Sequence, residues 1–284
     1  HVNSAELAHL SYRPFEYLMR NFQQQNITGI SWRPDLPSGS FVDEITGETR
    51  LNSYRDGYVK AVEGEIDQSV VDTFLTHLDW LLEPEDREHA LDWLTSVIQT
   101  PGDFIRYAMV LVGQKGGGKT FLSEMLAAIT GSVNVVDSSQ LDARFNTWAV
   151  GALVNTIEEI YVSGQNRRKT LDQMKQLISN KYISVEAKGA PIESRARNFA
   201  DYLAFSNHAD CLPLEQGERR YMVLDCRHLF DLSEHSSRCN EMIQAGYFKQ
   251  LYELLEPGEI EHPATWFYRR KVSPDFSRMD PPLT

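Results

Sequence analysis

Eight consecutive residues constrain this 284-residue chain more than any others. Gly113-Gln114-Lys115-Gly116-Gly117-Gly118-Lys119-Thr120 fits the pattern G-x-x-x-x-G-K-[ST]. Glycines at these positions let the backbone wrap so that successive N–H groups point inward at phosphate oxygens. A helix read as starting at Lys119 adds the positive end of its dipole. The Lys119 ammonium is placed to reach β- and γ-phosphates, and the Thr120 hydroxyl to bind Mg²⁺. The pattern arises by chance in roughly one chain of this length in a hundred. Its context also fits. Tyr107 to Val112 is a short continuous apolar run, as in a strand buried on both faces. Phe121 to Ile129 follow at helical spacing, with Gly131 as a stop. Gly113 to Phe121 are therefore candidate nucleotide-binding residues. Lys115 is extra to the pattern and reads either as a nucleotide contact or as a solvated loop charge.

The surrounding texture is that of a layered α/β domain with strands and helices alternating from about 101 to 226. Further buried-strand candidates are Val133 to Val136, Ala152 to Ile157, Tyr202 to Phe205 and Tyr221 to Leu224. Before this core, the spacing predicts a helix over 12–26 and strand-like pieces such as Ser40-Phe41-Val42. Two amphipathic helices follow between Ser69 and Gln99, the second opened by Pro84 and ended by Pro101-Gly102. After the core, residues 242–255 read as a helix, followed by a Pro-rich tail. The expected divisions are thus an accessory region over 1–66, a helical collar-like segment over 67–100, the P-loop core over 101–226 and a helical C-terminal segment over 227–284.

Three further features carry chemistry. The strand candidate Ala152 to Ile157 runs into Glu158-Glu159. A P-loop hydrolase needs a carboxylate near Mg²⁺ and a group that orients the attacking water. Glu158 is assigned to the metal through water and Glu159 to the nucleophile; taken alone, an acidic pair is more often a solvated turn. Tyr202 to Phe205 runs into Ser206-Asn207, and the Asn207 amide is either a γ-phosphate sensor or a turn cap. Arg219-Arg220 precede Tyr221 to Leu224. Arginine suits the charge of a transferring phosphoryl group, and one supplied by a neighbouring subunit couples turnover to assembly. A surface ion pair with Glu218 is the competing reading.

Charge at first argues against a nucleic-acid partner. The chain holds 28 Lys and Arg against 40 Asp and Glu, a net −12, which excludes a nonspecific coating protein. The charge is unevenly spread, however. Residues 161–200 carry +5, leaving −17 on the rest. Within that segment, residues 183–187 and 192–195 read as two strands around Lys188-Gly189-Ala190, a hairpin with a lysine at its tip. Lys188, Gly189, Arg195 and Arg197 are the candidates for gripping a phosphate backbone, against the alternative of a solvated basic face. No apolar run approaches the roughly 18–20 residues needed to span a bilayer. Cys211, Cys226 and Cys239 show neither disulfide nor zinc spacing, which suits a reducing compartment. The first residue is His1 and no leader pattern follows, so a cytoplasmic piece of a longer protein is expected.

The order of these pieces resembles the superfamily 3 helicases of viruses, phages and plasmids, a branch of the AAA+ ATPases. Gly113 to Thr120 looks like their Walker A motif, Ile157-Glu158-Glu159 like Walker B and Lys188-Gly189 like the tip of the DNA-gripping hairpin. Phe205-Ser206-Asn207 looks like motif C, with Asn207 as sensor 1, and Arg219-Arg220 like the arginine-finger segment. The flanks, Leu51 to Tyr54, the helical Trp80 to Gln99 region and residues 253–271, resemble the helicase half of phage primase-helicases, and the nearest likeness is to the C-terminal helicase-like region of phage primase-polymerases. The resemblance implies ATP and Mg²⁺ as cofactors and a ring, usually a hexamer, with ATP between subunits. It implies single-stranded DNA in the channel, or RNA, since a backbone grip does not separate them. It also implies a primase or polymerase part elsewhere in the full-length protein. The rival readings are an AAA+ loader or switch ATPase that does not unwind, and a nucleotide-binding scaffold.

Overall fold

The computed structural model describes residues 27–55, 58–162, 167–189, 192–212, 214, 217–226 and 240–282. The helix expected over 12–26 and Cys239 lie outside the described residues. The chain divides into two compact units, 1–56 and 57–284.

The first unit holds a small sheet of β1 (Gly29–Ser31), β2 (Gly39–Val42) and β3 (Thr49–Asn52), in the order β1-β3-β2. β2 and β3 are antiparallel, and Asp43 caps their turn by accepting from the backbone N–H of Ile45 and Thr46. Asn52 is buried because its amide is fully used: Nδ2 donates to the carbonyls of Arg33, Leu36 and Pro37.

The second unit begins with α1 (Gln68–Leu81) and α2 (Pro84–Gln99). Asp67 caps α1 by accepting from Ser69 N at 2.9 Å, and Pro84 opens α2 where its missing N–H costs nothing. The chain then alternates: β4 (Ala108–Val112), α3 (Phe121–Thr130), β5 (Val133–Asp137) and β6 (Val154–Glu158). Next come α4 (Arg167–Ser179), the pair β7 (Tyr182–Val185) and β8 (Glu193–Arg197), β9 (Asp201–Ser206) and β10 (Tyr221–Asp225). The last elements are α5 (Tyr247–Glu253) and α6 (Glu261–Arg269).

The fold class is α/β, as the alternation implied. Five parallel strands form the order β10-β4-β9-β6-β5. Every residue of β4 and β9 is buried, which is why these strands read as unbroken apolar runs rather than alternating ones. From β4 the chain leaves for the far edge at β5, works back through β6 and β9, and crosses to the other side for β10. That reversal places a crevice at the carboxyl end of β4, where open α/β sheets bind ligands. Helices α1, α2 and α6 pack together. Phe74 meets Phe267 at 5.5 Å between ring centroids, and Gln99 Nε2 donates to the carbonyls of Phe267 and Arg270.

Two local expectations need correction, and the basic segment divides between two elements. The α-helix proper starts at Phe121, not Lys119; Lys119 and Thr120 sit in the tight turn that enters it, with Phe121 N donating to Gly118 O. The single helix expected over 242–255 is broken. A helical stretch over 240–244 ends at Gly246, whose φ of 73° is left-handed, and α5 starts after it. Arg167, Arg168, Lys169 and Lys175 belong to α4, so half of the basic residues in 161–200 lie outside the hairpin. Among the described residues no helix is long and apolar enough to cross a membrane.

Candidate functional site

The loop leaving β4 is pinned on both flanks by the strands beside it. Gly113 N donates to Ser206 O of β9 at 3.0 Å, and Cys226 N, just past β10, donates to Val112 O at 2.7 Å. Gly113 is glycine for want of room, since a Cβ there would lie 2.5 Å from Cys226 Cβ. Gly116 and Gly118 are glycine for backbone reasons, with φ of 86° and 89°. Burial pushes the Cys226 thiol up to about 12, so it is an inert neighbour.

Lys119 is 6% exposed. A buried ammonium is costly unless its donors are met. Here Nζ donates to Gly113 O (2.6 Å), Gln114 O (2.7 Å) and Asn207 Oδ1 (3.2 Å). The lysine and the candidate sensor are thereby in direct contact. Burial draws the Lys119 pKa below the ordinary lysine value.

Helix α1 braces the loop, through residues that no motif singles out. Trp80 Nε1 donates to Gly117 O at 3.1 Å. His77 is buried, and its Nε2 lies 3.1 Å from Gly118 O while Nδ1 lies 2.9 Å from the Tyr247 hydroxyl. Burial lowers the His77 pKa to about 4, so the ring is neutral at pH 7. A carbonyl can only accept, so Nε2 carries the hydrogen and Nδ1 accepts from Tyr247. The signal was faint: a histidine on the apolar face of an amphipathic helix.

Past the carboxyl ends of β6 and β9 the acidic pair is held in place. Ile160 N donates to Phe205 O at 2.8 Å, and Ser206 Oγ donates to Ile160 O at 2.8 Å. Between these anchors and β6, Glu159 adopts φ 51°, and it alone among the described non-glycine residues has a positive φ. A strained backbone of this kind points to a functional position. Glu158 and Glu159 are exposed.

These pieces meet in one cavity of about 410 Å³. Lys115 to Thr120, Glu158, Glu159 and Asn207 line it, joined by Phe205. Ile243, Phe248 and Tyr252, none of them singled out by the sequence, form another wall. The size falls within the ~300–1,000 Å³ typical of small-molecule sites. Phe121 is fully buried behind it, edge-on to Tyr252 at 5.6 Å, and does not line it. Gly113 and Gln114 bear on it through the carbonyls that hold Lys119. Among the described residues no group of three or more His, Cys, Asp or Glu could hold a metal ion unaided. Thr120 and Glu158 could contribute to one that a phosphate group also binds.

The paired arginines lie elsewhere. β10 runs parallel to β4, with Tyr221 beside Ala108 and Asp225 beside Val112. Arg219 and Arg220 therefore sit at the amino-terminal edge of the sheet, opposite the cavity. Arg220 NH1 pairs with Glu218 at 3.0 Å, and Lys175 pairs with the same carboxylate at 3.1 Å. Arg219 has a 72% exposed side chain and only a 3.7 Å contact with Asp280.

The basic hairpin is a two-stranded antiparallel pair, with Tyr182 opposite Arg197 and Ile183 opposite Ala196. Lys188 and Gly189 are exposed at its turn, where Gly189 has φ 76°. Arg195 lies 5.1 Å from the centre of the Tyr182 ring, and Arg197 5.0 Å from that of Phe199.

Residues 111–220 match a protein family described as of unknown function (DUF5906). The chain is 25% identical over 150 residues to the DNA primase-polymerase of Nitratiruptor phage NrS-1, covering 51% of this chain and 20% of that protein. It also matches two apo structures of the NrS-1 C-terminal region, with TM-scores of 0.63 and 0.64 and identities of 19% and 18%. Each match covers 86% of this chain and 55% of that one. The chain is thus homologous to a phage primase-polymerase, in line with the resemblance seen in its motifs. It shares the fold of that protein's C-terminal region and spans about a fifth of the whole protein's length.

Proposed function

We propose that this chain, with the fold of a phage primase-polymerase's C-terminal region, is the ATP-driven motor of a replication protein. In this reading it works as a ring, of six copies by the superfamily 3 resemblance, and draws a single strand of DNA through its centre. The observation that carries the reading is the single cavity that gathers Lys119, Thr120, Glu158, Glu159 and Asn207. Lys119 neutralises charge on the β- and γ-phosphates, exchanging its loop carbonyls for phosphate oxygens. Thr120 and Glu158 would hold Mg²⁺, which when bound would supply charge neutralisation at the phosphates. Glu159 orients the attacking water, and Asn207 reports on the γ-phosphate through its contact with Lys119. Ile243, Phe248 and Tyr252 offer an apolar wall against which a base can lie.

Arg219 is the better finger. It lies too far round the sheet to serve its own cavity, its side chain is exposed, and its one described ion-pair contact is long. Arg220 is held by Glu218 and acts as a strut. The basic hairpin fits the inside of a ring, and the acidic remainder fits an exterior that resists indiscriminate binding. The site of action is the host cytoplasm, alongside a primase or polymerase part of the same full-length protein.

Lys119→Ala tests the reading directly. ATP hydrolysis should fall by about 10²–10³-fold, given that the lysine is a principal electrostatic partner of the transferring group. Retained turnover, or particles that show no ring with nucleotide bound, would overturn the assignment.

A further inference from the structure

Tyr252 reaches the nucleotide cavity from α5, on the C-terminal side of the core, and lines it together with Thr120. Two contacts fix its place. Its ring stands edge-on to Phe121, with 5.6 Å between centroids, and its hydroxyl donates to Glu124 Oε1 at 3.3 Å. Glu124 is in the first turn of α3, and its backbone N–H donates to Thr120 O at 3.2 Å. Residues four apart on a helical turn are neighbours on one face. The phenol that meets Glu124 therefore also stands beside the Thr120 side chain, with which it hydrogen-bonds.

Hydrogen counting gives this chain of contacts a direction. A phenol has one hydrogen to donate, and an ionised carboxylate only accepts. With the Tyr252 hydrogen spent on Glu124, Thr120 is the donor in its bond with Tyr252. The Thr120 hydrogen is then turned toward the phenol, and its lone pairs are left for a cation. Burial pushes the phenol pKa above the ordinary tyrosine value, so Tyr252 keeps its hydrogen at neutral pH.

Helix α5 is held in place independently of these bonds. The Tyr247 hydroxyl lies 2.9 Å from His77 Nδ1, Leu251 is fully buried, and a Cβ on Gly118 would lie 3.1 Å from the Phe248 ring. The phenol is thus delivered to the start of α3 by a helix already anchored at the phosphate loop.

We propose that Tyr252 is a positioning residue for Thr120: by accepting the threonine hydrogen, it turns the lone pairs of that hydroxyl toward a divalent cation beside the nucleotide phosphates. The inference rests on the proposed ATP site and deepens it, because it brings a residue from outside the P-loop core into the surroundings of the metal. Partners of this kind orient a ligand without touching the ion, and their loss costs about 10–100-fold in metal affinity. The apolar wall that the same ring offers a base is a separate property, which Tyr252→Phe retains.

The test is isothermal titration of the full chain with a non-hydrolysable ATP analogue, in excess Mg²⁺ and in EDTA. The wild type should bind more tightly with Mg²⁺. Tyr252→Phe should cut that gain by about tenfold and leave the affinity in EDTA unchanged, with thermal unfolding showing that it folds. Thr120→Val should lose the gain as well, and adding Tyr252→Phe to it should cost nothing further, since the two act through one contact. Glu124→Leu is the second probe. It frees the Tyr252 hydrogen to point at Thr120 and should lower the gain in the same sense. An undiminished gain in both Tyr252→Phe and Glu124→Leu overturns this inference alone. So does an additive loss in the double variant, or a loss from Tyr252→Phe that is equal with and without Mg²⁺. A wild type that binds the analogue with no gain from Mg²⁺ overturns the metal role of Thr120 and this inference together. A wild type that binds no analogue overturns the motor reading itself.

Discussion

The phosphate loop and the basic hairpin are built on opposite plans. The loop is braced from every side: by β9 and β10 at Gly113, by Trp80 at Gly117 and by His77 at Gly118. Its lysine is 6% exposed and has three acceptors. The hairpin is a two-stranded ribbon with a register shift between Ile183 and Val185, and its tip lysine stands exposed. Two strands alone are marginally stable, so the ribbon is tied to Asn146 at Ser184 and Glu186, and Lys188 and Gly189 beyond that tie are exposed. In the proposed reading the difference separates two tasks. Chemistry on a phosphate needs donors fixed before the ligand arrives. A grip on a long anion needs reach and a charge that lets go as readily as it holds.

Arg219 and Arg220 repeat this contrast in adjacent residues, and they offer its largest test. Arg220 shares Glu218 with Lys175, whereas Arg219 is 72% exposed. Arg219→Ala should cut ATP turnover by about 10³-fold, the lower end of what an arginine supplied in trans contributes. Arg220→Ala should cost no more than about tenfold and should lower the melting temperature instead. Titrating Arg219→Ala subunits into wild type should depress activity more steeply than in proportion to their fraction. The reverse ranking of the two arginines would break the distinction between strut and finger.

Gly118→Ala probes the braced half. The new Cβ would lie 2.6 Å from His77 Cε1, in a residue whose φ is 89°. His77 is buried and bonded at both ring nitrogens, so it cannot swing aside. The loop must move instead, and a displacement near 1 Å costs about 100-fold in turnover. Isothermal titration with a non-hydrolysable ATP analogue, beside steady-state turnover, measures the loss. Wild-type affinity in this variant would mean that the bracing is ornamental.

What the sequence disclosed follows the same division. Buried parallel strands announce themselves as apolar runs, so β4, β6, β9 and β10 were visible within a residue or two. The loop was visible because its residues and their chemistry are contiguous. The braces were not, because His77 and Trp80 meet the loop from some 40 residues away and look like ordinary members of an amphipathic helix. Ile243, Phe248 and Tyr252 were hidden for the same reason, since only tertiary packing brings them to the cavity. The paired arginines could be found but not told apart. Which one is tied down depends on Glu218 and Lys175, and Lys175 lies on α4, where a run of basic residues masks the helical spacing of the apolar ones.

Lys188→Ala sharpens the other half and should have the smallest effect. An exposed lysine on a backbone phosphate acts as one screened charge among several. Its loss should weaken single-strand binding severalfold, uniformly across sequences, and reduce the slope of log affinity against log salt by about one. Strand displacement should suffer more than binding, because a tip that fails to hold the strand spends each hydrolysis without moving it. The measurement is affinity at four or five salt concentrations beside unwinding of a forked duplex. If Lys188→Ala instead abolished nucleotide binding, as Gly118→Ala should impair it, the hairpin would belong to the nucleotide site. The two building plans would then be serving one task. If binding, slope and unwinding all stayed at wild-type values, Lys188 would be a solvated charge, and the grip would fall to Arg195 and Arg197 on β8.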